Sequence, residues 1–518
     1  MEQVVSLKKH NIAPERVISI SFVLVILAGS LLLMLPLSSR QGNFTPFLDC
    51  LFTATSATCV TGLVVYDTFT HWSTFGQGVI LAMIQIGGLG LLTFTSFFHI
   101  AMGKRLGLRD MVLASESVSN FGVAGVHSLL KMIIGISFGA ELAGAAVLAT
   151  TFIPQYGTSQ GAFISLFLAV SAFCNAGFDI LGFQEQFCSL SNYTDNWVVQ
   201  FTIIALIIFG GLGFIVWNDL FHWRRGKKLL LHTRIVLMMT GILLLGGALL
   251  ILLFEWSNPA TLGQMQLPEK LVAGLFQSTT MRTAGFNTVD IAAMREITKM
   301  VCILLMFIGA APGSTGGGIK VTTAAVLITT ALSVIRGKEE PIIRRRRVAA
   351  KVIFRALAIV FFALLIIPIA TTVVLAGPVT EAATLTDLDA LFETVSAFAT
   401  TGVSVGVTSV VHFWGKIALI FCMYIGRIGP VSFGLTIAKG RTKGNFTGRQ
   451  NYCRIIKKQP RVSSRLLFII CSNGNDTYII DIETQFGNYH ILQDTKFPWN
   501  FRFPVQTSFL RLINLHQT

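Results

Sequence analysis

Charged residues are scarce in this chain. They make up 13% of its 518 residues, about half the share of an average soluble domain. This composition excludes a soluble globular protein and a disordered chain, because both need more charge. The eight cysteines form no C-x-x-C pair and most lie in apolar stretches, which excludes a disulfide scaffold and a zinc framework. The nine histidines show no spacing such as H-E-x-x-H, so an enzyme is not predicted.

Apolar residues dominate instead, at 53% of the chain with a mean hydropathy of +0.68. Eight apolar windows are long enough to cross about 30 Å of hydrocarbon as helices. They are 17–37, 75–101, 131–153, 197–221, 234–254, 298–334, 352–376 and 412–438. The first window has no small-residue cleavage site, so it is predicted as a span rather than a signal peptide. The composition therefore predicts an integral membrane protein with eight spans.

Four shorter apolar pieces lie between the spans of each consecutive pair. They are 47–59, 161–173, 268–281 and 387–399. At about a dozen residues they are too short to span and are predicted as re-entrant half-helices. The order span, half-helix, glycine loop, span thus occurs four times, in repeats at about 14–110, 127–225, 230–336 and 348–449. The predicted fold is all-α, with eight transmembrane helices and four half-helices around a central pore.

The glycine loops support this repeat because they recur in register. Their sequences are Val60-Thr61-Gly62-Leu63, Asn175-Ala176-Gly177-Phe178, Thr283-Ala284-Gly285-Phe286 and Thr401-Gly402-Val403-Ser404. A Leu-Phe pair precedes the glycine at one fixed distance in three repeats and is one residue closer in the third. A second glycine motif follows after 25, 33, 24 and 24 residues. Self-similarity at a fixed period is stronger evidence for a fold than any single motif.

The distribution of Lys and Arg predicts the orientation. Segments 1–16, 102–131, 222–234, 336–355 and 439–449 hold 24 of them, and the segments on the opposite side hold 6. By the positive-inside rule, both ends of the core 1–449 are cytoplasmic in the plasma membrane. The basic run at 344–347 has a second interpretation as a nucleic-acid patch. Because it directly precedes a span, the topological interpretation is favoured and no nucleic-acid partner is predicted.

Four half-helices and four glycine loops that converge on one axis predict a cation pore. Glycine tolerates a positive φ, which lets successive carbonyls face the same way. A ring of carbonyls can replace the hydration shell of potassium. Half-helices that enter from outside aim their negative C-terminal ends at the pore centre. The alternative for any single loop is a tight turn between helices, and the recurrence in four loops favours the pore.

Residues 14–449 resemble the Trk/Ktr/HKT superfamily of potassium transporters, and most closely the Ktr-type membrane subunit. The resemblance rests on Thr61-Gly62-Leu63, Asn175-Ala176-Gly177-Phe178-Asp179, Arg282-Thr283-Ala284-Gly285-Phe286-Asn287, Thr400-Thr401-Gly402, the segment 312–320 and Gly426-Arg427-Ile428-Gly429-Pro430. It implies that backbone carbonyls of four triplets form a potassium-selective filter. These are Val60, Thr61, Gly62, Asn175, Ala176, Gly177, Thr283, Ala284, Gly285, Thr400, Thr401 and Gly402.

The resemblance also carries expectations about selectivity and partners. Family members that pass sodium commonly have serine in place of the glycine of the first filter loop. The glycine at position 62 therefore implies potassium selectivity. The family forms homodimers in the membrane lipid, with one pore per subunit. A cytoplasmic ring of nucleotide-binding RCK subunits regulates it. Sodium is a candidate activator of uptake, and the chain itself needs no organic cofactor.

The second span of the third repeat departs from the others. Proline and dense glycine at 309–318 cannot continue a regular helix, so a loop below the filter is predicted. Its ending, Gly318-Ile319-Lys320, has a weak likeness to a phosphate loop, but the Gly-Lys-Ser/Thr order is missing. The resemblance implies that this loop is a gate. The predicted gate residues are Pro312, Gly313, Ser314, Thr315, Gly316, Gly317 and Gly318, together with Arg427.

Arg427 is the most informative single residue. It stands where the other repeats have Gly88, Gly211 and Ala310. A guanidinium at membrane depth must face the interior and find a partner. It is predicted to raise the barrier to potassium and to hold the gating loop through its carbonyls. The alternative is a structural anchor for helix-end carbonyls.

Glu141 lies in mid-span, with two interpretations left open. It either pairs with a basic residue such as Lys320 or makes an interhelical hydrogen bond. Lys320 is more simply interpreted as a span-end lysine that reaches the cytoplasm.

Two groups of residues in 1–449 are assigned to positions outside the pore itself. Trp72, Trp197, Trp256 and Trp414 are predicted to form an interfacial belt. Asp49, Asp179 and Asp290 near the filter mouth either concentrate cations or are solvated surface.

Residues 450–518 contain no span, and their alternating patches suggest short strands. This tail is either an added cytoplasmic module or a non-native extension, and the second interpretation is favoured. For the core, the rival function is a secondary transporter of another cation, such as sodium, that works by alternating access. Such folds usually have inverted repeats, whereas these four repeats all start on one side, which favours a channel-like pore.

Overall fold

The computed structural model describes residues 14–90, 126–223, 226, 228–338, 341–343, 346–377 and 386–430, and four strands between 452 and 491. The chain divides into two compact domains, Met1–Ala438 and Lys439–Thr518. The division falls within 431–451, outside the described residues, so the boundary at 449 stays a prediction. The ends of the predicted spans 75–101 and 412–438, and much of the basic segments, lie outside the described residues.

The N-terminal domain is helical, and its helices follow the order of the four repeats. Repeat 1 contains α1 (Pro14–Met34), α2 (Phe47–Cys59), α3 (Thr68–His71) and α4 (Thr74–Leu89). Repeat 2 contains α5 (Val126–Tyr156), α6 (Thr158–Cys174), α7 (Trp197–Gly211) and α8 (Phe214–Trp223). Repeat 3 contains α9 (Leu231–Glu255), α10 (Leu267–Thr280), α11 (Glu296–Phe307) and α12 (Val321–Ile335). Repeat 4 contains α13 (Ala350–Leu375), α14 (Asp387–Ala399), α15 (Val407–Val410) and α16 (Phe413–Ile428).

The first helix of every repeat is long and apolar enough to cross a membrane. Within the described residues four helices meet this criterion, Arg16–Met34, Leu130–Tyr156, Leu231–Glu255 and Ala350–Leu375. The pair α7 and α8 makes a fifth if it is counted as one span, although the two helices are bent by 93°. The chain is thus a helical membrane protein, and the count of eight spans stays a prediction.

The bend between α7 and α8 corrects the prediction of one continuous span over 197–221. The break lies at Gly213, which has a φ of 88°. The N–H of Phe214 donates to the carbonyl of Gly313 at 2.9 Å, so the third repeat supplies a partner for the turned backbone. A glycine with a positive φ thus ends the helix, and a tertiary hydrogen bond accompanies the turn.

The four short helices α2, α6, α10 and α14 form the centre of the domain. The phenylalanine of each Leu-Phe pair is fully buried, namely Phe52, Phe167, Phe276 and Phe392. In each repeat, the helix at the start of the predicted second span packs against the short helix of the next repeat. The contacts are α4 on α6, α7 on α10, α11 on α14 and α16 on α2. The last contact closes the four repeats into a ring, which brings their glycine loops together.

Two ion pairs join neighbouring repeats at equivalent places of this ring. Lys299 in α11 lies 2.8 Å from Asp389 in α14, and Lys416 in α16 lies 2.6 Å from Asp49 in α2. Each aspartate is in the first turn of a short helix, where a negative charge is favourable. Each lysine comes from the preceding repeat, so the fourth repeat is held to both of its neighbours by charge.

The C-terminal domain contains a four-stranded antiparallel sheet, which agrees with the short strands suggested by the sequence. Its strands are β3 (Tyr452–Lys457), β4 (Arg465–Asn473), β5 (Asp476–Gln485) and β6 (Asn488–Ile491), in that order. Strands β1 (Ile342–Ile343) and β2 (Arg346–Arg347) form a separate hairpin in the N-terminal domain. The all-α description therefore applies to the predicted membrane core and not to the tail.

Candidate functional site

A left-handed backbone turn follows each short helix, directly in three repeats and after two further residues in the third. The residue two places before the loop glycine has a positive φ: 58° at Val60, 59° at Asn175, 69° at Thr283 and 51° at Thr400. Three of these residues are β-branched, for which a left-handed backbone is a genuine outlier that the surrounding structure must enforce. The loop glycine then has a positive φ as well, from 69° to 101°. The turn is therefore repeated four times at some energetic cost.

Backbone hydrogen bonds explain the shorter spacing of the third repeat. In three repeats the N–H before the glycine donates to a carbonyl five residues back: Thr61 to Ser56, Ala176 to Ser171 and Thr401 to Ser396, at 2.7–2.8 Å. In the third repeat the N–H of Ala284 donates to Thr280, four residues back, at 2.9 Å. One residue fewer in the turn accounts for the Leu-Phe pair that lies one residue closer to the glycine.

The four loop glycines face one another in a closed ring. A Cβ on Gly62 would lie 2.5 Å from the carbonyl oxygen of Ala176, and one on Gly177 would lie 2.6 Å from Cα of Gly285. A Cβ on Gly285 would lie 2.9 Å from the carbonyl oxygen of Thr401, and one on Gly402 would meet that of Thr61. The loops are thus ordered 1, 2, 3, 4 and back to 1, with no space for a side chain between them.

Hydroxyl oxygens next to this ring are buried without a protein partner in the described part of the chain. They belong to Thr58, Thr61, Thr280, Thr283, Thr400 and Thr401. A buried polar atom without a partner is costly, and native structures usually explain it by a ligand or ordered water. Carbonyl and hydroxyl oxygens that surround one point suit a hard monovalent cation.

A cavity of about 250 Å³ lies on one side of the ring and is lined by all four loop glycines. Asp179 and Asp290, which were predicted near the filter mouth, line this cavity together with Asp67. Asp67 was missed, although Asp67 and Asp290 both lie five residues after a loop glycine. Burial, together with the nearby Asp67 carboxylate, raises the pKa of Asp179 to about 7, against the opposing N–H of Leu181.

Asp49 does not belong to this cavity lining, which corrects its predicted place at the mouth. Its carboxylate is buried, pairs with Lys416 and accepts the hydroxyl of Tyr66 at 2.8 Å. Burial, the hydrogen bond to Asp49 and its charge raise the pKa of Tyr66 to about 12. Asp49 thus holds two repeats together and has no free charge for a passing cation.

The loop 308–320 lies on the other side of the ring. It separates α11 from α12, and its ends are joined by a bond from the N–H of Gly309 to the carbonyl of Ile319 at 2.9 Å. The N–H of Ala311 donates to Gly211 at 3.1 Å, and the N–H of Thr315 donates to Gly210 at 3.3 Å. The interruption predicted from proline and glycine is therefore present, and the loop is attached to the broken span of repeat 2.

Glycines of this loop touch the residues that precede the ring. A Cβ on Gly316 would meet the hydroxyl of Thr283, and one on Gly317 would meet that of Thr400. A Cβ on Gly318 would lie 3.3 Å from the carbonyl oxygen of Ala399. The dense glycine is needed because the backbone of the loop lies directly against the turns.

Arg427 joins this loop to repeat 1. Its guanidinium donates to the carbonyls of Thr315 and Gly87, and to that of Gly88 at 3.4 Å. The ammonium group of Lys320 donates to the carbonyls of Gly316 at 2.7 Å and Gly317 at 3.3 Å. Two cationic side chains thus donate to carbonyls of this loop, and Arg427 also donates to carbonyls near the end of α4.

The structure decides between the two interpretations of Glu141 and corrects one aromatic prediction. The carboxylate of Glu141 accepts from the amide of Gln85 at 3.0 and 3.1 Å and does not pair with Lys320. This is the interhelical hydrogen bond of the second interpretation, between α5 and α4. Trp72 is fully buried and so cannot belong to a belt, whereas Trp197, Trp256 and Trp414 are 49%, 45% and 64% exposed.

Comparison with known proteins identifies the family. A family model described as TrkH, a cation transport protein, matches residues 11–448. The chain belongs to this family. It is similar to Ktr system potassium uptake protein B of Bacillus subtilis, with 42% identity over 435 residues that cover 84% of this chain and 95% of the relative. It is also similar to the potassium/sodium uptake protein NtpJ of Enterococcus hirae, with 37% identity over 85% of this chain and 96% of the relative.

A solved structure shows the same fold. The potassium transporter TrkH from Vibrio parahaemolyticus matches with a TM-score of 0.61 at 18% identity, over 84% of this chain and 86% of that one. The predicted resemblance to the Trk and Ktr transporters is thus confirmed. Because the family is one of ion transporters, the protein is not an enzyme.

Proposed function

We propose that this chain takes up potassium ions across the plasma membrane as the membrane subunit of a Ktr/Trk-type system. The observation that carries the proposal is the closed ring of four glycine loops with buried, unpartnered hydroxyls beside it. The names of the relatives from Bacillus subtilis and Enterococcus hirae support potassium as the transported ion. Eight spans around this ring complete the proposed architecture.

In this proposal the ring is the selectivity filter. The carbonyls of residues 60–62, 175–177, 283–285 and 400–402 replace the hydration shell of a potassium ion as it passes. The C-terminal ends of α2, α6, α10 and α14 add partial negative charge from four directions. Asp67, Asp179 and Asp290 attract cations into the outer cavity.

The loop 308–320 and Arg427 form the gate below the filter. The loop touches Thr283 and Thr400, so an ion that leaves the filter meets it next. Arg427 holds Thr315 of the loop and places a positive charge on the ion path. Conduction therefore requires the loop to move away and the guanidinium to release its carbonyl.

The remaining parts of the proposal concern orientation and assembly. The Lys and Arg distribution places both ends of the core in the cytoplasm. We expect a homodimer that binds a cytoplasmic, nucleotide-binding RCK subunit, with sodium as a candidate activator. These expectations follow from the Ktr-type resemblance.

Sodium transport is the second candidate, because the relative from Enterococcus hirae is named as a potassium/sodium uptake protein. An alternating-access transporter of sodium would need two arrangements of the repeats around a site at the midplane. The closed ring, to which all four repeats contribute in the same way, favours a pore instead.

The experiment is growth and uptake in a potassium-uptake-deficient bacterium at limiting potassium, with wild type and Gly62→Ser side by side. We expect wild type to restore growth and Gly62→Ser to shift the preference from potassium toward sodium, because the new Cβ would lie 2.5 Å from the carbonyl of Ala176. No rescue by wild type, with the protein in the membrane and an RCK subunit co-expressed, would contradict potassium uptake.

A further inference from the structure

Glu393 is a buried carboxylate that lies beside the fourth glycine loop. It occupies the middle of α14 and has no exposed surface. The hydroxyl of Ser404 donates to it at 2.7 Å, the N–H of Val405 at 3.2 Å and the N–H of Thr408 at 3.0 Å. The hydroxyl of Thr408 donates to it as well. Both carboxylate oxygens are thus bound to the segment 404–408.

This segment follows the filter glycine directly. Ser404, Val405 and Gly406 line the outer cavity together with Gly402. Ser396, one turn after Glu393 on the same helix, accepts the N–H of Gly402 at 3.1 Å and donates to the carbonyl of Val403 at 2.7 Å. The backbone that leaves the fourth loop is therefore tied to α14 at two successive levels.

The corresponding position differs in every other repeat. It is Thr53 in repeat 1 and Leu168 in repeat 2, nine residues before the glycine, and Gln277 in the shorter repeat 3. The hydroxyl of Thr53 is buried without a partner among the described residues. With its amide oxygen turned toward the donors, Gln277 accepts the N–H groups of Thr288 and Val289 at 3.0 and 3.3 Å. Of these four residues, Glu393 alone is a carboxylate.

A carboxylate holds such a segment more firmly than a neutral group does. The two oxygens of Glu393 together accept from four donors, whereas a glutamine amide has a single acceptor oxygen and would turn its own N–H groups toward donors of the segment. If the acceptor is lost, the N–H groups of Val405 and Thr408 stay buried without partners, which costs more than the bonds themselves. The segment would then move to find other partners, and Gly402 would move with it.

We propose that Glu393 is a positioning residue that sets the cation preference of the filter. By holding 404–408 against α14, it keeps the carbonyls of Thr400, Thr401 and Gly402 at the spacing that suits potassium. A looser fourth loop closes more readily around a smaller ion, so sodium gains relative to potassium. The inference rests on the proposed function, since it assumes that the ring is the filter.

The test compares Glu393→Gln with a matched buried glutamate. Glu255 is also fully buried and accepts from four donors, Asn258, Thr261, Thr298 and the N–H of Arg295. It joins the end of α9 to α11, and it is not among the residues that line the outer cavity. Glu255→Gln therefore repeats the chemical change away from the filter.

The measurement is uptake of radiolabelled rubidium by the full chain in cells, with potassium or sodium as competitor. We expect Glu393→Gln to lower the preference for potassium over sodium by about tenfold, a size in keeping with the loss of one or two buried hydrogen bonds. Glu255→Gln should leave the preference for potassium over sodium unchanged, even where it lowers the amount of protein in the membrane. Thr408→Val, which removes a single donor and keeps the shape, should shift the preference in the same direction by less.

The outcomes distinguish failure of the proposed function from failure of the inference about Glu393. If wild type itself does not prefer potassium, the proposed function fails and this inference fails with it. If wild type prefers potassium and both Glu393→Gln and Thr408→Val keep that preference, the inference alone is overturned. An equal loss of preference in Glu255→Gln would also overturn it, because the effect would then be general destabilisation. Should Glu393→Gln not reach the membrane, Thr408→Val decides by itself.

Discussion

The ring of glycine loops and the layer below it are built on opposite principles. In the ring, all four repeats contribute a residue with left-handed backbone two places before the glycine, the glycine itself and nearly the same hydrogen bond. Below it, the equivalent positions are Gly88, Gly211, Ala310 and Arg427, and the third repeat has the irregular loop 308–320 between α11 and α12. The repeats thus stayed alike where they meet and diverged one layer further down.

The physics of the two tasks explains this difference. An ion without its water needs oxygen atoms on all sides, so all four repeats must supply them. A barrier needs only one obstruction, so a single loop and a single arginine are sufficient. Divergence in the lower layer therefore need not disturb the ring above it.

Gly402→Ala should have the largest effect, because it breaks the ring itself. The new Cβ would meet the carbonyl of Thr61 in the neighbouring repeat, and overpacking of this kind costs about 1–3 kcal/mol. We expect uptake to fall by at least about tenfold. Gly42→Ala is the control, since Gly42 also has a positive φ but nothing lies within 4 Å of its Cβ position. Equal losses in the two variants would show that backbone strain matters and the ring contact does not.

Arg427→Gln addresses the lower layer and should act in the opposite direction. It weakens the bonds to Thr315 and Gly87 and removes the positive charge from the ion path. We expect uptake to rise by about two- to tenfold with the potassium preference unchanged, as one to a few charge-assisted hydrogen bonds are lost. Arg336→Gln, at an exposed arginine just after α12, is the control. A lower uptake at normal expression would mean that Arg427 is a structural anchor.

Lys416→Met tests how far the ring depends on its charged contacts. It leaves Asp49 buried without its cation, and breaking a buried pair is strongly destabilising, by about 3 kcal/mol. We expect a lower thermal unfolding temperature in detergent, and partial recovery when Asp49→Leu is added. Lys299→Met, at the equivalent contact between repeats 3 and 4, should behave alike. A double variant no more stable than the single one would contradict the pair as the cause.

Deletion of 451–518 should have the smallest effect. The family match ends at residue 448, and the described strands of this part form a sheet of their own. We expect uptake to stay within about twofold of wild type, since the deletion removes neither the ring nor the loop below it. Loss of uptake with normal membrane insertion would show that the tail is a working part of the transporter.

Much of the N-terminal domain could be predicted from local sequence. The half-helix predicted over 47–59 is Phe47–Cys59, and that over 387–399 is Asp387–Ala399. Even the one-residue difference of the third repeat was visible in its Leu-Phe pair. These features are local, because an apolar run and the glycine that ends it are read from neighbouring residues.

The failures share one cause, which is contact between distant parts of the chain. Asp49 was expected at the cavity, but the ring closure brings Lys416 to it. Of the two interpretations of Glu141, the structure shows the hydrogen bond to Gln85 of α4 and not the pair with Lys320. The backbone at the bend after Gly213 finds its hydrogen-bond partner in Gly313, a hundred residues further along the chain. None of these partners can be found by spacing within one repeat.

The sequence by itself determined the class of protein, the repeat and the twelve loop residues, because hydropathy and recurrence are properties of the chain. Only the tertiary structure decided which groups meet: the order of loops in the ring, the partners of Arg427 and the four donors around Glu393. The physical reason is that a buried charge or a left-handed backbone needs specific partners. Those partners come from other repeats, or from segments that fold back onto the same helix.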